Sequence, residues 1–109
     1  MFSDKGPVRL LPWTGVDGRP NYLIGGGNGR VSRMADEAER TQLAMAADLL
    51  EHVEDLRKDG GDGEEGAVTP EQLAFVNACL EGSLRDVCRI AESRGRRLAD
   101  LAGAHDTTA

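Results

Sequence analysis

Apolar residues recur at helical spacing through the middle of the chain. When positions from about residue 33 onward are placed about 100° apart, the mostly apolar ones fall in one broad sector and charged ones lie opposite. Ser32 offers an N-cap hydroxyl, and Arg57 and Lys58 form a cationic last turn before glycine. The pattern predicts a first helix over residues 32–58. Its apolar sector holds Ala35, Ala38, Gln42, Leu43, Ala46, Leu49, Leu50, Val53 and Leu56.

A second amphipathic pattern fills the carboxyl-terminal part. Thr69 can cap a helix, Pro70 suits its first position, and Gln72 can complete a capping box. We predict a second helix over residues 69–102, with an end or bend at Gly95, and we expect residues 103–109 to fray. Its apolar stripe holds Leu73, Val76, Leu80, Leu84, Val87, Ala91, Leu98 and Ala102.

The amino-terminal segment, residues 1–31, is rich in Gly and Pro and contains two short β-prone runs. Asp17, Gly18 and Pro20 lie between the runs and favour a turn. A short β-hairpin is therefore predicted, and it needs the helices to cover its apolar face because two strands alone are marginal in water. The residues assigned to that face are Leu11, Trp13, Tyr22 and Ile24.

Residues 59–68 separate the two predicted helices and consist mainly of glycines and acids. We expect a flexible linker there, because such a segment has nothing to bury. Residues 1–109 then form a single, mostly α domain built on an antiparallel two-helix hairpin. The apolar sectors are wider than one partner helix can cover, so either the amino-terminal segment or a second chain must cover them. We predict a homodimer that forms a four-helix bundle.

The net negative charge of the chain disfavours several classes of partner. The 109 residues carry a formal charge of −6, so the summed field repels nucleic acid and anionic membranes. No apolar run approaches the ~20 residues of a membrane span. The first residues lack the features of a signal peptide, and a cytoplasmic location is expected. Cys79 and Cys88 are nine positions apart on one predicted helix, so they cannot bridge each other.

The glycine-rich run before the first helix is a candidate anion site. Gly27 and Gly29 would offer backbone amides, and Arg30 and Arg33 would supply positive charge. The run lacks both the Lys-Ser/Thr of a P-loop and the glycine spacing of a dinucleotide-binding turn. We therefore favour a plain turn here, with anion binding as the alternative.

Two aromatic residues and one basic patch are candidate partner-binding residues. Trp13 and Phe75 would anchor a partner if exposed, and they would otherwise fill the space between the amino-terminal segment and the helices. Arg94, Arg96 and Arg97 could bind an acidic partner or phosphate, or instead face solvent or the acidic helix of the same chain.

Known catalytic and metal-binding patterns do not account for the remaining polar residues. His52, His105 and the two cysteines fit no zinc-ligand spacing. Ser83 and Ser93 have no local base or orienting acid. The sequence therefore assigns no catalytic residue, metal or cofactor, although an enzyme whose residues converge only in the fold remains an alternative.

Several short motifs, taken in combination over about residues 7–98, resemble a group of small actinobacterial proteins of unknown function. The group often has Cys where Asn21 stands here, which argues against a thiol role at that position. The resemblance implies no activity. The motifs are Pro12-Trp13-Thr14-Gly15, Gly18-Arg19-Pro20-Asn21-Tyr22-Leu23, Ser32-Arg33-Met34-Ala35-Asp36, Gln42-Leu43-Ala44-Met45-Ala46 and Ala91-Glu92-Ser93-Arg94-Gly95.

These observations favour a non-catalytic protein–protein interaction module with a regulatory or adaptor role. The alternative is a small-ligand or nucleotide sensor that uses the glycine-rich run from Gly25 to Arg33.

Overall fold

The computed structural model describes residues 8–25, 29–60 and 67–107. It contains strands β1 (Val8–Thr14) and β2 (Pro20–Ile24) and helices α1 (Arg30–Gly60) and α2 (Pro70–Thr107). The prediction of a mostly helical chain with a small antiparallel sheet is confirmed. Contacts within the chain form two compact units. Unit 1 comprises Met1–Arg40 and Cys88–Ala109, and unit 2 comprises Thr41–Val87.

The predicted turn joins the two strands of unit 1. The amide of Gly18 donates to the carbonyl of Gly15 at 2.9 Å, and the Asp17 carboxylate accepts from the amide of Arg19 at 3.1 Å. Gly18 has a φ of 79°, a conformation that residues with a Cβ rarely adopt. The pairing register shifts between Leu10 and Thr14, so β1 is irregular there.

The predicted apolar face of the hairpin is only partly correct. Leu11 is buried and Trp13 is half-buried, but Tyr22 and Ile24 are exposed. The strand β1 instead buries four successive residues, Arg9 to Pro12, so it is covered on both of its faces. Alternation of apolar and polar residues could not predict this, because Arg9 occupies one of the covered positions.

The start of α1 differs from the prediction. The helix begins at Arg30, where the carbonyl of Gly29 accepts from the amide of Arg33 at 3.1 Å. Ser32 is therefore not the N-cap but lies inside the first turn, where it is buried. Its side chain binds Arg9 of β1, a contact that local sequence cannot reveal.

The start of α2 is as predicted. The Gln72 amide donates to the Thr69 hydroxyl at 3.1 Å, and the Thr69 amide donates to the Gln72 side chain at 2.8 Å. This reciprocal pair is a capping box, with Pro70 as the first helical residue.

Both helices extend beyond their predicted ends. The first includes Asp59 and Gly60, which had been assigned to the linker, and residues 61–66 of that linker lie outside the described residues. The second continues through Gly95 and through residues 103–107 of the predicted tail, to Thr107. Gly95 therefore does not end the helix. Within the described residues, no helix is both long and apolar enough to span a membrane.

The buried side chains of unit 1 come from three elements. Its apolar core consists of Leu10 and Leu11 of β1, Ala35 of α1 and Ile90 of α2. On α2, Ser93 donates to the carbonyl of Leu10 at 2.9 Å and Arg89 donates to that of Pro12 at 3.2 Å. Residues four apart on a helix lie on one face, so α2 binds two alternate carbonyls of β1.

Unit 2 contains part of each helix and a very small core. Along one side of the pair, Met45 and Leu49 share a cavity with residues 78–86, whereas His52 and Leu56 share one with residues 71–76. The numbers rise on α1 as they fall on α2, so the helices run antiparallel within this unit. Among its described side chains, only Val76 is buried.

Candidate functional site

A cluster of charges around the buried Glu39, which we call the Glu39 cluster, holds β1 to the helices in unit 1. It consists of Arg9, Ser32, Asp36, Glu39, Arg94 and Arg97. The guanidinium of Arg9 donates to the Ser32 hydroxyl and to Asp36, both at 2.8 Å, and to Glu39 at 3.3 Å. Arg9 is therefore a cross-link from the strand to one face of α1.

The Glu39 carboxylate receives three arginines while its side chain is only 3% exposed. Oε2 accepts from Arg9, and Oε1 lies 3.5 Å from Arg94 and 3.7 Å from Arg97. Burying a carboxylate is costly unless opposite charges and hydrogen bonds compensate it. The cluster meets that requirement, and its role is to fix the hairpin on the two helices.

All three arginines in the predicted partner-binding patch contact their own chain, two of them through the Glu39 cluster. Arg94 and Arg97 converge on Glu39, and the Arg97 Nε also donates to the Ser93 carbonyl at 3.5 Å. Arg96 is separate from them: it lies 3.4 Å from Glu92 and stacks over the Tyr22 ring at 5.6 Å from its centroid. All three keep part of their side chains in solvent.

The candidate anion-binding residues are only partly described. Gly27 lies outside the described residues, Gly29 precedes the first turn of α1, and Arg30 and Arg33 are exposed. The glycine-rich hypothesis therefore stays a prediction that these residues do not yet support.

The two candidate aromatic anchors lie in different units. Trp13 is half-buried in unit 1, whereas Phe75 is 71% exposed in unit 2. Phe75 lines a cavity of about 340 Å³ between the helices, together with His52, Leu56 and Val76. An aromatic ring this exposed on a helix pair with so small a core is a potential contact for another protein.

A second cavity, of about 530 Å³, follows the first along the same side of unit 2. We call the two together the groove. Carboxylates and apolar side chains line it, and no lysine or arginine is among the described residues that do so. Its lining residues are Met45, Asp48, Leu49, His52, Leu56, Glu71, Gln72, Phe75, Val76, Ala78, Cys79, Gly82, Ser83 and Asp86.

The opposite side of unit 2 carries a second exposed surface, the leucine face. Val53 on α1 and Val76 on α2 face the opposite helix and serve as the reference directions. Around the helix axis, Met45 is rotated about 80° from Val53, and Phe75 is rotated about 100° from Val76 in the same sense. The leucines are rotated about 40° to 80° the other way on each helix. In two antiparallel helices, residues that are rotated in the same sense from the facing position lie on the same side of the pair. The leucines of α1 and of α2 therefore form one surface. The leucine face consists of Leu43, Leu50, Leu73, Leu80 and Leu84.

Much of both surfaces is exposed in the single chain, although Leu43 and Leu80 of the leucine face are half-buried. Leu50 is 65% exposed, Leu84 is 63% exposed and Met45 is 61% exposed. The α2 stripe assigned to the core from sequence is thus only partly buried, because the helix turns Val76 and Ser83 toward α1 and leaves Leu84 outside. Apolar area left in water this way is the usual mark of a surface that binds protein.

The remaining candidate groups are the two cysteines and the side chains of the types that bind metals. Cys79 and Cys88 are free thiols, the first half-buried in the groove and the second exposed. Among described residues, no cluster of three or more His, Cys, Asp or Glu side chains could hold a metal ion.

Comparison with protein-family models, curated proteins and solved structures finds no match for this chain.

Sequence reasoning missed the Glu39 cluster and the groove. A signal for the first existed: Arg9 interrupts an apolar run in β1, and Glu39 falls inside the apolar sector of α1. A charge at each of two positions that should be covered indicates that they pair with each other. The groove has no such signal, because it depends on how the two helices are rotated.

Proposed function

We propose that this protein is a non-catalytic protein-interaction module, which forms a homodimer through the leucine face and serves as a regulatory or adaptor partner of another protein. The observation that carries the proposal is the exposure of unit 2. Among the described side chains of unit 2 only Val76 is buried, and one such side chain cannot stabilise a pair of helices by itself, because each fully buried aliphatic side chain contributes only about 1.5–3 kcal/mol. A second protein surface would supply the missing burial.

The charges beside the leucine face suit a second copy of the chain. Glu54, Arg57 and Lys58 border it on α1, so both signs are present. In a two-fold dimer each patch meets its own copy, and a border of both signs can pair with itself. The leucine faces of two copies would then form the interior of a four-helix bundle.

The test is the mass of the particle in solution, measured by light scattering over a range of protein concentrations. We expect a dimer for the native chain and monomers for Leu84→Glu and Leu50→Glu, because each variant places a charge in the interface. Both leucines are exposed in the single chain, so neither change removes a buried contact within unit 2. Circular dichroism checks that the helices remain.

Ala74→Glu is the matched control. It adds the same charge at an exposed position of α2 that is turned away from α1, from the leucine face and from the groove. It should remain dimeric. A native chain that stays monomeric at all concentrations, or leucine variants that stay dimeric, would refute the homodimer.

A further inference from the structure

We propose that the groove of unit 2 binds a basic amphipathic helix of another protein. This inference rests on the interaction-module role and names the chemistry of the partner. It uses the side of unit 2 opposite the leucine face, so one copy of the chain could bind both partners at once.

The apolar lining of the groove fits the apolar face of a helix. Leu49, Leu56 and Val76 lie between α1 and α2, and Met45 and Phe75 stand at the exposed edges. A groove between two helices is a common seat for a third, amphipathic helix, and a flexible methionine adapts to its side chains.

Gly82 lines the exposed edge of the groove on α2. A Cβ built on this glycine meets no other atom within 4 Å, so the space above the backbone is unfilled. Glycine within a helix costs about 1 kcal/mol relative to alanine. Because nothing in the chain approaches Gly82, the missing side chain has no packing role in the single chain, and it leaves room for a ligand side chain.

Charge selects the kind of helix. Asp48 and Asp86 line the larger cavity and Glu71 lines the smaller, and His52 is the remaining titratable side chain apart from the Cys79 thiol. Unit 2 as a whole has eleven acidic and three basic residues. A lysine- or arginine-bearing partner is therefore attracted, whereas an acidic protein, nucleic acid or an anionic membrane is repelled.

The acidic lining also disfavours binding of a second copy of this chain in the groove. A two-fold dimer would bring the Asp48 and Glu71 carboxylates near their own copies, with no lysine or arginine of the groove to compensate them. The leucine face, which both signs border, lacks this conflict. The two surfaces should therefore differ in their response to salt: salt screens the attraction between the acidic groove and a basic helix and weakens that binding, whereas it should affect the dimer less.

The test uses two dye-labelled model helices of identical amphipathic pattern, one of leucine and lysine and one of leucine and glutamate. We expect the lysine helix to bind the full-length protein and to bind less tightly as salt is raised, as measured by fluorescence anisotropy. The glutamate helix should bind at least about tenfold more weakly. Equal binding of the two, or no binding of the lysine helix, would overturn the proposal.

Two matched variants locate the binding. Gly82→Leu adds a bulky side chain to the lining of the groove at a position where a Cβ meets no other atom within 4 Å, and Gly95→Leu makes the same change elsewhere on α2, where a Cβ is equally free of contacts. We expect Gly82→Leu to weaken binding about tenfold or more and Gly95→Leu to leave it unchanged. Equal affinities for the two variants would place the peptide outside the groove.

The two native cysteines also test, without mutation, whether the peptide binds in the groove. Cys79 lines the groove and Cys88 does not. The lysine helix should slow alkylation of Cys79 by iodoacetamide and leave the rate at Cys88 unchanged, as read by mass spectrometry. Unprotected Cys79 would contradict the groove even if the peptide binds. Light scattering on the same samples reports the dimer separately, so failure of one proposal does not imply failure of the other.

Discussion

Glu39 is the buried carboxylate on which arginines from β1 and α2 converge. Its buried carboxylate compensates Arg9, which is itself buried, and lies close to Arg94 and Arg97. Glu39→Gln keeps the shape but removes the charge, so the Arg9 guanidinium is left among buried groups with less compensation. We expect a loss of about 3 kcal/mol in the free energy of unfolding, measured by urea denaturation at fixed protein concentration.

Glu37→Gln is the control, because Glu37 pairs with Arg40 on the exposed side of the same helix. Exposed pairs contribute about 0–1 kcal/mol, so this variant should be close to native in stability. If both variants unfolded at the same urea concentration, the Glu39 cluster would not contribute to the stability of the protein.

A second prediction at this scale concerns Gly95. It lies inside α2, and a Cβ built there meets nothing within 4 Å. Gly95→Ala should therefore raise the free energy of unfolding by about 0.5–1 kcal/mol, because alanine loses less backbone entropy in a helix. Thermal denaturation followed by circular dichroism measures it. A lower melting temperature would show that the position is crowded in the assembled protein.

At the scale of elements, sequence predicted what depends on neighbouring residues. Thr69, Pro70 and Gln72 fixed the start of α2 because a capping box is local chemistry. The N-cap predicted at Ser32 was wrong because the contact that decides it is distant in sequence. A serine before an apolar run favours an N-cap, but here its hydroxyl binds Arg9, twenty-three residues earlier. The rotation of α2 about its own axis was equally unpredictable, because both sides of Val76 are apolar.

Ser93 connects the last helix to the first strand. It is buried, and its hydroxyl donates to the Leu10 carbonyl. Ser93→Ala removes that donor and leaves a buried carbonyl without it, which should cost about 1–3 kcal/mol. Hydrogen exchange followed by mass spectrometry should show faster exchange of β1 amides. Ser83→Ala, a half-buried serine in unit 2, is the control and should leave β1 exchange at the native rate.

At the scale of the whole molecule, stability is expected to be uneven between the two units. Unit 1 has a small apolar core and the Glu39 cluster, whereas unit 2 has Val76 as its one buried side chain among those described. A segment with so few buried apolar contacts opens readily unless another surface covers it. The leucine face is therefore more than a docking surface, because its coverage by a second copy would also hold the helices of unit 2 in place.

This coupling predicts that the melting temperature rises with protein concentration, because association stabilises the native state by mass action. Leu84→Glu should lose the dependence and, at any concentration, show fast hydrogen exchange across residues 41–58 and 70–87. Amides near Ala35 and Ile90 in unit 1 should keep their native protection in the variant. Ala74→Glu should behave as the native chain does. If unit 2 were equally protected in native protein and in Leu84→Glu, the helix pair would be stable alone, and exposure of its leucines would no longer argue for a partner.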